Sequence, residues 1–147
     1  MKQVLILLVF LIGFQQNTNA QKSAIFIKEG KAIGGYDVVD FHLNQKAQLG
    51  DSSYQYRWNA ANWYFSSAKN RDLFMATPEK FAPAFGGYCA YGLSQGHKAP
   101  TQVETWTVIN NTLYFNYNLK VKERWIKQTD SLIAKGQVNW VLIKDKE

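Results

Sequence analysis

The chain has a single cysteine, Cys89, so no disulfide can form within it and the Cys-x-x-Cys chemistry of disulfide oxidoreductases is excluded. Stability has to come from packing. Neither a Walker phosphate loop nor a dinucleotide-binding glycine fingerprint is present. There is also no internal repeat, low-complexity tract or interior linker, which argues for one domain. The formal charge is +6, yet Lys and Arg are scattered. Their one local concentration, Lys120, Lys122, Arg124 and Lys127, fits the solvated side of a helix rather than a nucleic-acid footprint. No nucleic-acid partner is expected.

Long apolar runs are equally scarce. The longest, Val4 to Phe14 interrupted by Gly13, follows Lys2 and leads through a Gln-Gln-Asn-Thr-Asn segment to Ala20. That is the layout of a cleavable export signal and is too short to span a bilayer comfortably. With residues 1–20 as signal, 127 of the 147 residues remain, enough for one compact domain. Only Lys2 leaves with the signal, so the charge falls from +6 to +5. No cysteine lies near the cleavage point to accept a lipid. The expectation is a periplasmic or extracellular protein with no stable membrane insertion after cleavage. In such an oxidising compartment Cys89 has to be buried, held by a ligand, or available to another molecule.

Aromatic residues are plentiful: nine Phe, eight Tyr and five Trp, each able to bury a large apolar area. After a lead-in over residues 21–32 with an Ala24–Ile27 strand, Gly34-Gly35-Tyr36 turns the chain. Asp37 then caps a one- to two-turn helix. Residues 44–53 are polar and loop-like. The aromatic segments 54–58 and 62–65 flank Asn59-Ala60-Ala61 and predict a hairpin. Ser66 or Ser67 caps a helix that turns Ala68, Leu73, Phe74 and Ala76 inward, and Pro78 opens a short second helix. Residues 104–109 and 112–117 flank Asn110-Asn111, a pair that tolerates positive backbone angles, and predict a second hairpin. Its buried face would carry Trp106, Val108, Leu113, Phe115 and Tyr117. A helix from Leu119 is expected to end at Gly136, with Gln137–Ile143 as a final helical or extended piece. The fold class is α+β: a small single domain of two β-hairpins packed against short helices and a C-terminal helix.

The most informative stretch is Asn62-Trp63-Tyr64-Phe65-Ser66-Ser67, followed by Arg71-Asp72-Leu73-Phe74, Pro78-Glu79-Lys80-Phe81-Ala82-Pro83 and Gly86-Gly87-Tyr88-Cys89-Ala90-Tyr91. With Gly34-Gly35-Tyr36-Asp37-Val38-Val39 upstream, it resembles the YHS domain family over roughly residues 33–140. The likeness is closest to exported, single-cysteine members. Metal-binding members carry two thiols in a Tyr-Phe-Cys-Ser-x-x-Cys turn, and those positions here read Ser66 and Asn70. That thiolate set is therefore absent. The resemblance implies a binding domain, residues 33–143, with a link to metal handling. Asp37 and Cys89 match its motif positions directly.

Around Cys89, glycines permit close approach of backbone amides, which would stabilise a thiolate or an oxyanion. Equally, the glycines make a tight turn, and Cys89 fills an apolar slot beside Tyr88 and Tyr91. The ligand-binding candidates are Asp37, Tyr88 and Cys89. A soft metal, copper or zinc, would take Cys89 with Asp37 (or Asp40 as the alternative carboxylate), His97 and His42, because thiolate is soft and imidazole borderline. Against this, Asp37 serves equally as a helix cap, and both histidines read as loop residues. No residue is assigned a catalytic role. Two alternatives stay open: a thiol-dependent enzyme or redox sensor using Cys89, and an interaction module of the cell envelope. The last would need a contiguous exposed aromatic patch. Trp58, Trp63, Tyr64 and Trp106 are read as core.

Overall fold

The computed structural model describes residues 23–146. The expected export signal lies outside them. Three antiparallel hairpins and six α-helices are laid down in the order β1 (Ile27–Lys28), β2 (Lys31–Ala32), α1 (Val38–Leu43), β3 (Asp51–Trp58), β4 (Ala61–Phe65), α2 (Ala68–Ala76), α3 (Pro78–Phe81), α4 (Ala90–Ser94), β5 (Gln102–Ile109), β6 (Thr112–Asn116), α5 (Leu119–Ile126) and α6 (Thr129–Ile143). The hairpins pair β1 with β2, β3 with β4 and β5 with β6. This is an α+β domain, as the patterning predicted.

Each hairpin closes over two consecutive residues with positive φ: Glu29-Gly30, Asn59-Ala60 and Asn110-Asn111. Such turns match the right-handed twist of the strands. The asparagines adopt this backbone at lower cost than other non-glycine residues. Register follows from the turns, with Trp58 opposite Ala61 and Ile109 opposite Thr112.

Strand periodicity then sorts the side chains. In β4, Ala61, Trp63 and Phe65 are buried while Asn62 and Tyr64 lie at intermediate exposure. In β6 both faces are covered: Leu113 and Phe115 join one core with Val38, Val39, Phe41, Trp63, Phe65 and Phe74. Tyr114 turns to a second core with Phe85, Leu93, Trp125 and Leu132. The alternation of β6 thus welds two clusters into one body. Burying each large apolar side chain contributes roughly 2 kcal/mol.

Several local expectations are corrected. The first strand is Ile27–Lys28, not Ala24–Ile27. Residues before it cross the glycine turn instead, where the Phe26 amide donates to the Gly86 carbonyl at 2.8 Å. On α2, Ala68 and Ala76 are exposed, and the inward residues are Phe74 and Asn70, with Leu73 partly buried against the same core. Tyr117 is exposed beyond the end of β6. The C-terminal helix breaks at Lys127–Gln128, and Gly136 lies inside α6. A Cβ there would come within 2.8 Å of the Phe85 ring. Gly136 therefore permits close packing and does not end the helix. The aromatic strand residues are largely internal: Trp63 is buried, while Trp58 and Trp106 pack partly covered against the same core.

Candidate ligand site

Asp37 is buried at the N-cap of α1, where its Oδ1 accepts the Val39 amide at 2.9 Å. Its other oxygen, Oδ2, accepts from the Ser66 amide, the Ser66 hydroxyl and the Asn70 carboxamide at 2.7, 2.9 and 2.8 Å. Asp40, one turn along α1, accepts from Asn70 at 3.0 Å and lies 2.8 Å from the Ser66 hydroxyl, whose single proton is shared between the two aspartates. Asn44 also donates to it. The geometry follows from spacing: Asp37 and Asp40 are three apart at one helix start, and Ser66 and Asn70 four apart at another, so each pair shares a face. The result is a closed polar cluster joining α1, β4 and α2. Both carboxylates are hydrogen-bonded on both oxygens.

Cys89 is 2% exposed and stands at the N-cap of α4. Its sulfur accepts the amides of Gly92 at 3.3 Å and Tyr117 at 3.2 Å. It also lies 3.7 Å from Asn116 Oδ1, to which the thiol donates. Burial pushes the Cys89 thiol upward, and the backbone amides of Gly92, Tyr117 and Tyr91 oppose that rise only in part. A neutral thiol capping a helix is a packing group rather than an activated nucleophile. Beside it, Asn116 is fully buried. Its Oδ1 also accepts the Tyr91 amide, while its Nδ2 has no hydrogen-bond partner.

The other expected site residues are dispersed. Tyr88 is buried, and its hydroxyl donates to the Ser23 carbonyl at 2.8 Å. Burial raises the pKa of its phenol. His97 is exposed in the loop after α4. His42 presents its ring edge-to-face to Phe81 at 5.6 Å. Neither His42 nitrogen has a partner in hydrogen-bond geometry, although the Phe81 backbone and the Asn111 side chain lie close enough to favour the protonated ring. Desolvation outweighs them and lowers the His42 pKa below its ordinary value. Asp37 and Cys89 share no hydrogen-bond partner: each is engaged by its own set of groups. Among the described residues, no group of three or more His, Cys, Asp or Glu is placed to hold a metal ion.

What the fold does build is a cleft of about 850 Å³ on another side of the glycine turn. Its walls include Trp58, Phe85, Tyr114 and Trp140, with Glu79 and Asp145 among its polar groups. Phe85 and Gly86 both hold positive φ, +55° and +61°. A Cβ on Gly86 would fall 1.8 Å from the Ala24 carbonyl oxygen. The glycine motif is therefore needed to bring the chain's lead-in against the cleft wall.

Lys98 fixes the opposite end of that wall. It is buried, donates to the Lys144 and Lys146 carbonyls at 2.7 Å each, and lies 5.5 and 5.9 Å from the Tyr88 and Trp140 ring centres. Those carbonyls lie at and just beyond the C-terminus of α6, where a cation is favoured. Sequence reasoning passed over Lys98, because a lysine after Gly96-His97 reads as solvated loop. It also passed over Asn116, whose short polar side chain carries no pattern of its own, and took Asp40 only as an alternative metal carboxylate to Asp37. The i, i+3 spacing of Asp37 and Asp40 was the available signal.

No protein-family model, no curated protein and no solved structure matches this chain.

Proposed function

We propose that this protein is an exported, non-catalytic binding domain of YHS type, which takes a small ligand with an apolar face into the cleft beside Phe85, Tyr114 and Trp140. The observation that carries the reading is the cleft itself: about 850 Å³, with aromatic walls and a few polar groups. Sites for small molecules have this size and this mixture. Its position adds support, because Gly86, the first residue of the Gly86-Gly87-Tyr88-Cys89 motif that carries the YHS resemblance, lines it. The export part rests on the N-terminal sequence pattern alone.

On the YHS reading, Ser66 and Asn70 stand where metal-binding members have thiols, and here both bind Asp37 and Asp40. A saturated hydrogen-bond cluster takes the place of a metal set. Cys89, as a buried helix cap with a raised pKa, offers little to an enzyme or redox sensor. A copper or zinc site at Cys89 is the competing reading.

Three measurements test the proposal. Iodoacetamide should leave Cys89 unmodified at about pH 8 until the chain is unfolded; rapid alkylation of folded protein, with a midpoint well below about 8.5, overturns the non-catalytic reading. Anilinonaphthalene sulfonate, an apolar dye, should bind saturably, and Trp140→Ala should weaken it about tenfold. Absence of saturable binding removes the cleft. Stoichiometric Cu(I) or Zn(II) uptake that disappears in Cys89→Ser would establish the competing site.

A further inference from the structure

The basic residues of α5 divide between two destinations. Lys122 is engaged by the third hairpin, where its amine donates to the Trp106 carbonyl at 2.8 Å. Arg124 and Lys127 instead line a hollow of about 390 Å³, together with Lys135 of α6. The break at Lys127–Gln128 makes this meeting possible, because it redirects the chain so that α6 packs beside α4. The Asn139 carboxamide holds the two together, donating to the Leu93 carbonyl at 2.8 Å. Two further lining residues are anchored in the second core: Leu132 is buried in it and Tyr91 packs against it. Gln95 and Gln128 contribute carboxamides, and the Gln128 side chain is not engaged in capping α6.

The charge of the hollow has one sign. Three cations line it and no carboxylate does. Glu123 and Asp130, the acidic residues nearest in sequence, are not among the lining residues. The ion pairs among the described residues are Arg71–Asp72 and Lys144–Asp145, so none of the three cations is compensated in that way. A helix end accounts for two of them, since Arg124 and Lys127 lie at the C-terminus of α5, where cations are favoured. Lys135 lies in the interior of α6, and no helix end accounts for it. Gathering like charges around one hollow costs Coulomb energy, which an anion among them recovers.

We propose that this hollow is a second binding site, sharing no lining residue with the aromatic cleft, and that it takes an anion bearing phosphate groups between Arg124, Lys127 and Lys135. The class follows from charge and donor type. Three positive charges exceed what a single carboxylate answers. A guanidinium donates two parallel N–H bonds to a phosphate, and ammonium groups add point charges beside it. The volume lies within the range of small-molecule sites, with room for a phosphorylated small molecule or for the headgroup of a phospholipid.

The test is calorimetric titration of the purified full chain with inorganic pyrophosphate at low ionic strength, with circular dichroism to confirm that each variant is folded. All the substituted side chains are exposed, so folding should be retained. The wild type should bind saturably, with a dissociation constant on the order of 100 μM. Lys135→Gln should weaken binding at least fivefold, and Arg124→Gln combined with Lys135→Gln should abolish it. Lys120→Gln removes the same charge from α5 outside the hollow and should leave binding within about twofold. Vesicles containing phosphatidic acid identify the source. Capture that pyrophosphate competes away and Lys135→Gln abolishes supports the site with a lipid headgroup in it, whereas pyrophosphate binding without vesicle capture supports it with a soluble phosphate compound. A wild type with no saturable binding below about 10 mM overturns the proposal. Equal losses from Lys120→Gln and Lys135→Gln overturn it as well, because they would mark diffuse attraction to a basic surface.

Discussion

Asp37 and Ser66 meet through one oxygen: the Ser66 amide and the Ser66 hydroxyl both donate to Asp37 Oδ2, at 2.7 and 2.9 Å. The same carboxylate caps α1 with its other oxygen. One side chain therefore fixes the start of α1 and ties it to the end of β4 and, through Asn70, to α2. The aromatic core lies against these same elements, with Phe41 on α1, Phe65 on β4 and Phe74 on α2 all fully buried.

Removing that carboxylate leaves the Val39 and Ser66 amides without their acceptor, while the Ser66 hydroxyl and the Asn70 carboxamide keep Asp40. A lost cap costs about 1 kcal/mol, and each buried donor left unpaired adds about 1 kcal/mol or more. Asp37→Ala should thus destabilise the fold by about 2 kcal/mol, read as a lower urea midpoint with an unchanged slope. Asp37→Asn keeps one acceptor oxygen and should cost less. A loss below 1 kcal/mol for Asp37→Ala would show that the cluster is not a structural tie.

The two longer hairpins, the caps at Asp37 and Ser67, and Pro78 at the first turn of α3 were legible in the sequence, because each depends on chemistry within a few residues, whereas the short first hairpin over Glu29-Gly30 was read as a lead-in. Gly136 misled for a physical reason. As a local signal a glycine ends a helix, yet here it stays helical because the Phe85 ring needs the space. The site was less legible still. Asp37 and Cys89 were paired because both match motif positions of the YHS resemblance, but the acceptors and donors that claim them, Ser66, Asn70, Asn116 and Tyr117, are fixed by tertiary packing. The aromatic cleft draws on residues from Ala24 to Asp145, and no sequence window spans such a set.

His42 gives the fold a pH dependence whose sign follows from its burial. Desolvation lowers its pKa in the folded state below the ordinary 6.5, so both folded and unfolded forms are neutral at higher pH. As pH falls through about 6.5 the unfolded chain takes the proton first, and stability declines until the lowered folded pKa is passed. Nearby Lys80 acts in the same direction. His42→Phe should remove this component: the stability of wild type relative to the variant should fall between about pH 7.5 and pH 5. A constant difference across that interval would mean that the ring is protonated without cost in the native state.

Gly86 is the position where the smallest substitution should have the largest effect. Its φ of +61° is strained for any other residue, and an added Cβ would meet the Ala24 carbonyl oxygen at 1.8 Å and its carbon at 2.9 Å. Both obstacles are backbone, so a rotamer change cannot relieve them. Gly86→Ala must push residues 24–26 off the turn, breaking the hydrogen bond that the Phe26 N–H donates to the Gly86 carbonyl and opening the cleft wall. Gly30 supplies the control: its φ is +75°, but nothing lies within 4 Å of an added Cβ. Gly30→Ala should therefore cost only the conformational preference, about 1 kcal/mol, whereas Gly86→Ala should cost about 3 kcal/mol or more. Thermal unfolding separates them, at roughly 3 °C per kcal/mol for a domain of this size. Saturable binding of the apolar dye should be lost with Gly86→Ala and kept with Gly30→Ala. Equal midpoints for the two variants would contradict the close approach of the lead-in to the glycine turn.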